Sequence, residues 1–204
     1  MNYIEELKSK PIQIENFLSI DKANIVYKII DSQKNWVTAS QHKKSYEFEK
    51  NKFNEGKFSF WFHMIEDKNF IFNLSQILNF EFELSKLLDN KFFTPQSIFL
   101  SKYIFGDFLS PHNDEALNRK YAFIYNLTMN ADENKGGCLH FIDKNNNTTH
   151  KLLPKFNSLN IFDVENVNDL HFVDEIMDKN YKRYSISGWL LENDIKMKSK
   201  NSLI

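Results

Sequence analysis

Cysteine, arginine, glycine and proline are all scarce in this 204-residue chain, and each scarcity excludes something. Cys138 is the only cysteine, so no disulfide can close within the chain, and a reducing, cytoplasmic setting is expected. No apolar run is long enough to span a bilayer. The longest, residues 58–65, contains Ser59 and His63. The first residues, Met1-Asn2-Tyr3-Ile4-Glu5-Glu6, are acidic where a secretory signal would be basic. An excess of one charge is also missing. The formal net charge is −1, which gives no electrostatic case for a nucleic-acid partner. The lysine-rich end, Lys196 to Lys200, reads as a solvated polar tail over 193–204.

The scarcity of arginine is the most useful of these. Of 26 basic residues only Arg119 and Arg183 are arginines. Where lysine serves for a simple positive charge, an arginine points to a need for a planar, forked guanidinium. Four of the five glycines (Gly106, Gly136, Gly137 and Gly188) fall in the second half of the chain.

What is present is ample material for a core: 42% hydrophobic and 15% aromatic residues. One domain is expected over 1–204, with a helical or irregular part at 1–95 and a β-rich core at 96–192. Residues 12–18 alternate as a strand. Ser19 or Asp21 can cap a following helix with Ile25, Val26, Ile29 and Ile30 on one face. Residues 36–60 show no clean period and read as a long loop or irregular strands. Leucines and isoleucines at three- and four-residue spacing predict a helix over 69–89. Short β-rich runs follow at 97–105, 121–129, 138–142, 148–153, 158–163, 169–174 and 183–191. Ser110-Pro111, Asp132 to Gly137, Asp143 to Asn147 and Pro154 read as the turns between them. Strands after a helical preface predict a mainly β (α+β) fold, a sandwich or jelly roll with N-terminal packing helices and a mouth for ligands.

Within that core, His112-Asn113-Asp114, His171 and Arg183 form one constellation. A lone His-x-Asp is weak evidence, and either histidine alone reads as an ordinary loop or strand residue. The order and context carry more. His112 and Asp114 follow a predicted strand, His171 lies in a late strand, and Arg183 opens the next with Ser185 on its face. Two imidazoles and a carboxylate can hold one face of iron(II) and leave the other open to a 2-oxo acid and O₂. Arg183 can then hold the remote carboxylate of 2-oxoglutarate by two parallel hydrogen bonds, with Ser185 adding one.

The second half resembles the iron(II)/2-oxoglutarate-dependent oxygenases of the prolyl-hydroxylase type. Tyr103-Ile104-Phe105-Gly106 before His112-Asn113-Asp114 resembles the family's Tyr-x-x-Gly…His-x-Asp. Gly136-Gly137-Cys138-Leu139-His140-Phe141 resembles its Gly-Gly-x-Leu-x-Phe. Pro154 to Leu159, with Phe162 and His171-Phe172-Val173, resembles its Pro-x-x-Asn-x-Leu…Phe…His-x-Val. Arg183-Tyr184-Ser185-Ile186-Ser187-Gly188-Trp189 resembles the closing strand, especially in the branch that includes ribosomal-protein prolyl hydroxylases. The resemblance covers roughly 97–191. It implies a double-stranded β-helix (jelly roll). It implies iron bound by His112, Asp114 and His171, and a cosubstrate pocket with Arg183, Ser185 and Tyr103. Asn126 stands where relatives often place a tyrosine that reaches the cosubstrate. Arg119 and Trp189 are candidate substrate contacts. Fe(II), 2-oxoglutarate and O₂ are the implied cofactors, with ascorbate as an auxiliary reductant.

The expected reaction is hydroxylation of an unactivated C–H bond in a prolyl residue, a free amino acid or a small metabolite. No second domain of the kind found in that branch is expected, which keeps small substrates open. The other classes are a non-catalytic double-stranded β-helix used for binding or sensing, and a cupin-type metalloprotein. No membrane partner is expected, and the sequence leaves the oligomeric state open. Cys138 reads as a small core residue, Gly136-Gly137 as a turn, and His140 and His150 as lying outside the ligand set. Trp36, His42, Tyr46, Trp61 and Phe62 read as aromatic packing or a substrate lid.

Overall fold

The computed structural model describes residues 3–40, 60–65, 67–88, 93–114, 118–165 and 170–192. Among the described residues, four helices precede or interleave the first strands: α1 (Tyr3–Leu7), α2 (Ile20–Asp31), α3 (Lys68–Leu78) and α4 (Phe80–Leu87). The strands are β1 (Ile12–Glu15), β2 (Val37–Ser40), β3 (Phe60–Ile65), β4 (Phe93–Tyr103), β5 (Phe108–His112) and β6 (Arg119–Asn126). After a 3₁₀ turn at Glu133–Lys135 come β7 (Leu139–Ile142), β8 (Thr148–Leu152), β9 (Ser158–Asp163), β10 (Leu170–Val173) and β11 (Arg183–Glu192).

Capping explains where the longer helices begin and end. Ser19 accepts the Lys22 N–H at the start of α2, and Asp67 accepts the N–H groups of Asn69 and Phe70 at the start of α3. The single helix expected over 69–89 is two. Asn79 adopts the left-handed conformation (φ 51°), which ends α3 and redirects the chain into α4. Asparagine tolerates that conformation better than most residues, and leucine spacing alone does not register the break.

The strands form one antiparallel array in the order β1-β9-β6-β11-β4-β3-β5-β10-β7-β8, with β2 beside β3. β3 is the hinge of this array. Its residues 63–65 pair with β4 and its residues 60–61 with β5, so it joins the large sheet to the small one. β1 falls within the strand expected over 12–18, and β2 and β3 also enter the sheet. A second correction concerns Ser110-Pro111, which lies within β5 rather than in a turn. Leu109 pairs with Val173 and His112 with His171, so β5 carries one extra residue between these pairs. Such a bulge accommodates a proline, which has no N–H to give the ladder, and it re-aims the side chains beyond it.

Alternation along the large sheet creates two faces. Leu100, Tyr121, Phe123, Tyr125, Leu159 and Ile186 face the helices and pack with Val26, Ile30, Leu74, Leu78 and Leu84. Ala122, Phe162 and Tyr103 face inward with Leu139, Phe141 and Val173 of the small sheet. The inward face does not fill completely, and the remaining space is the cavity.

Candidate active site

A cavity of about 250 Å³ opens between the two sheets, lined from β3, β4, β5, β6, β7, β9, β10 and β11. His112, Asp114 and His171 lie at one part of its wall and Arg183 with Ser185 at another.

The bulge in β5 and the pairing of His112 with His171 bring the two imidazoles together, with ring centroids 4.2 Å apart. Asp114 follows two residues on. Its Oδ2 lies 3.3 Å from His171 Nε2 and its Oδ1 3.8 Å from His112 Nε2. One ligand atom from each of the three residues falls within 4.8 Å of the others. The His112 Nδ1–H donates to the Ser110 carbonyl at 2.9 Å, which turns Nε2 toward Asp114, 3.8 Å from its Oδ1. Burial, then the neighbouring His171, lowers the His112 pKa to about 4, so the ring is neutral at neutral pH. Burial pushes the Asp114 carboxyl up. The hydrogen bond and charge of His171, with His112 and Trp189, outweigh that and hold it below its usual value. Two imidazoles and one carboxylate, converging, are a donor set that suits iron(II).

Arg183 is 2% exposed and carries no ion pair to a carboxylate among the described residues. Its Nε is buried without a partner. Its guanidinium lies 4.7 Å from the centroid of Tyr103, the residue paired with it across β4 and β11. Tyr103 is itself stacked on Phe62, and burial holds its hydroxyl protonated, with a pKa of about 12. Gly137 makes room for the arginine. A Cβ there would come within 3.1 Å of Arg183 Cδ and 2.6 Å of Ile176 Cδ1, and a Cβ on Gly136 would strike the Glu175 carbonyl at 1.9 Å. Both glycines have positive φ, so the Gly-Gly pair is a turn, as its sequence suggests, and also a close approach to the buried arginine.

Ser185 faces the cavity beside Arg183, with its Oγ 2.8 Å from that of Ser101. Ser101 has no place in the family motif, yet the period-two run Phe99, Ser101, Tyr103 on one predicted strand carries the signal for it. Asn126 does not line the cavity. It is opposite Ser185 in register, fully buried, and its Nδ2 donates to Ser158 Oγ at 3.2 Å while its Oδ1 has no partner. Trp189 lines the pocket at the end of β11 away from Arg183, and Arg119, which does not line it, packs against Trp189. The β6–β11 register slips by one residue between Leu190 and Leu191, which brings Arg119 to the side of Trp189. The guanidinium lies 3.6 Å from the indole centroid, and its Nη1 donates to the Asp114 carbonyl oxygen at 3.3 Å. Phe60, Phe62 and Phe99 complete the apolar wall. Of the aromatic residues at 36–62, Trp36 packs on Tyr184 and Phe62 lines the cavity, whereas His42 and Tyr46 lie outside the described residues.

Residues 98–191 match the family described as the 2OG-Fe(II) oxygenase superfamily. The chain is similar to an oxidoreductase of that family from Burkholderia pseudomallei, with a TM-score of 0.63 and 7% identity over 90% of this chain and 86% of that one. It is similar also to a Pseudomonas putida prolyl-4-hydroxylase, with a TM-score of 0.52 and 15% identity over 91% and 94%. At those identities the likeness is one of fold, the double-stranded β-helix. In sequence, 94 residues are 37% identical to the mouse prolyl 3-hydroxylase OGFOD1, covering 44% of this chain and 17% of the mouse protein. The chain thus spans under a fifth of that relative's length. Over residues 98–191, less than half of its length, the chain is similar to the 2OG-Fe(II) oxygenase superfamily and to its prolyl hydroxylases.

Proposed function

We propose that the chain is an iron(II)- and 2-oxoglutarate-dependent dioxygenase that hydroxylates an unactivated C–H bond. The observation that carries this reading is Arg183: a buried guanidinium with an unpartnered Nε and, among the described residues, no carboxylate paired with it, on the wall of a cavity that also holds His112, Asp114 and His171. An unpaired buried charge is costly, so its retention argues for an anionic ligand that completes it. His112, Asp114 and His171 would hold the iron, and Arg183, Ser185 and Tyr103 the remote carboxylate of 2-oxoglutarate, with Asn126 supporting Ser185 from the next strand. When bound, iron with 2-oxoglutarate and O₂ supplies the oxidant, releasing succinate and CO₂. The protein's own residues position the reactants and keep water out.

Trp189 and Arg119 would form the substrate end of the pocket. The similarity to prolyl 3-hydroxylases makes a peptidyl proline the first substrate to test, ahead of a free amino acid or small metabolite. Ascorbate is expected to sustain turnover as an auxiliary reductant. Residues 1–95 and 96–192 would act as one domain, since helices from the first pack on strands of the second. A cytoplasmic location fits the lone cysteine. Among the described residues, no helix is long and apolar enough to cross a membrane. The test is succinate release from 2-oxoglutarate with iron(II), O₂ and a panel of prolyl peptides and amino acids. Substrate-stimulated succinate is expected. Its absence across the panel, together with no iron-dependent release of CO₂ in the absence of substrate, would refute the activity.

A further inference from the structure

A second cluster of ligating side chains lies on the other face of the strands that carry His171. Strand β10 pairs with β7 so that Phe172 faces His140 and Val173 faces Leu139. The Asp174 N–H donates to the Cys138 carbonyl at 3.2 Å, which extends the ladder by one pair. Alternation then puts Cys138, His140, Phe172 and Asp174 on one side of the ladder. His171, Val173, Leu139 and Phe141 take the cavity and inner-core side. The thiol, imidazole and carboxylate each offer one ligand atom, all within 4.8 Å of one another.

The three residues are held in place. Asp174 Oδ1 accepts the Cys138 N–H, and its Oδ2 lies 3.0 Å from His140 Nε2. The His140 ring is stacked almost flat on Phe172, 4.6 Å between centroids and 9° between planes. His140 Nδ1 is buried without a partner. The Tyr181 hydroxyl is also buried and unpartnered, on a residue 5% exposed, and burial, ahead of smaller effects of Arg183, Cys138 and Asp174, raises its pKa. Entry from solvent is open, since the side chains of His140 and Asp174 are 13% and 31% exposed.

We propose that Cys138, His140 and Asp174 form a second metal site, taking a thiophilic divalent cation of the zinc type. Sulfur, imidazole nitrogen and carboxylate oxygen are all zinc ligands, and three of them leave one position for water. The hard cations magnesium and calcium prefer all-oxygen sites and would be excluded by the thiol and imidazole. Binding exchanges the S–H bond of Cys138 for a sulfur–metal bond and releases the proton to solvent, with no change of oxidation state. The cation would tie the start of β7 to the end of β10. It would thereby fix Gly137, which packs directly on Arg183.

Cobalt(II) titration of the full chain tests this, because a thiolate–cobalt charge-transfer band can come only from Cys138, the one cysteine present. The band should persist in His112→Ala, saturate there at one cobalt per chain because the other donor set is broken, and disappear when zinc is added. It should be lost in Cys138→Ser and Cys138→Ala. In His140→Gln and Asp174→Asn, half-saturation should rise at least about tenfold, since even indirect support of a metal ligand is worth 10- to 100-fold in affinity. Circular dichroism checks that each variant folds. No band in the wild-type protein would overturn the site, leaving the cluster a hydrogen-bonded staple. A band of equal strength in His140→Gln and Asp174→Asn would overturn it too, since the thiol would then bind alone.

Discussion

The two faces of the large sheet are built from the same strands, yet they treat polar groups differently. On the helix-packed face, polar atoms have partners: the Tyr184 hydroxyl donates to Asp31 at 2.8 Å and the Tyr125 hydroxyl to Asn157 at 3.0 Å. On the cavity face, Arg183 Nε, Asn126 Oδ1 and Asn160 Nδ2 are buried without one among the described residues. Period two therefore separates a finished core from an unfinished one. The unfinished face bears the iron-type donor set, and its unmet hydrogen-bonding capacity marks where ligands complete the structure.

Substitutions on the two faces should consequently fail in different ways. The largest effect is expected for Asp114→Ala, which removes the only carboxylate of the donor set. Iron(II) binding and turnover should both vanish while the fold persists, and equilibrium dialysis against iron(II) with thermal unfolding checks both. Next is Arg183→Met. Two charge-assisted hydrogen bonds of about 1.5–3 kcal/mol each would be lost, so the 2-oxoglutarate concentration needed should rise on the order of 100-fold or more. The ligand-free variant should be as stable as the wild-type protein or more so, because a buried unpaired charge has gone. A variant that is markedly less stable would break the contrast between the faces.

Leu78→Ala tests the other face. Leu78 is fully buried between α3 and the sheet, so about 2–5 kcal/mol of stability should go, read by denaturant unfolding. The half-saturating 2-oxoglutarate concentration of the folded fraction should not change. A smaller effect concerns pH. His112 refuses a proton in the folded, metal-free protein down to about pH 4, whereas an unfolded histidine accepts one near 6.5. Stability should therefore decline as pH falls from about 6.5 to about 4, and this contribution should be constant below that. His112→Gln should show a shallower decline over the same window, measured by urea unfolding.

Much of this was legible in the residues, and the misses have physical causes. His112, Asp114, His171, Arg183 and Ser185 could be read because the chemistry needs those residue types, and arginine is rare in the chain. The β-rich runs after residue 97 were legible from turn residues and alternation. Strand β3 was not, because Phe60 to Ile65 is apolar on both faces and shows no alternation. The break at Asn79 depends on one backbone angle that leucine spacing does not encode. The Ser110-Pro111 bulge has turn chemistry inside a strand, so composition misleads there. Asn126 was placed on the right face, but its amide is turned to Ser158 rather than to the cavity. That depends on side-chain packing, which alternation does not specify.

The central claim is that the cavity face is a site for iron(II) and 2-oxoglutarate together. An anaerobic titration of 2-oxoglutarate into iron(II)-loaded protein tests it directly, read by the metal-to-ligand charge-transfer band of a chelated 2-oxo acid. The band should grow to saturation in the wild-type protein, be absent in Asp114→Ala, and need on the order of 100-fold more 2-oxoglutarate in Arg183→Met. No band in the wild-type protein, or one that saturates equally in Arg183→Met, would contradict the account.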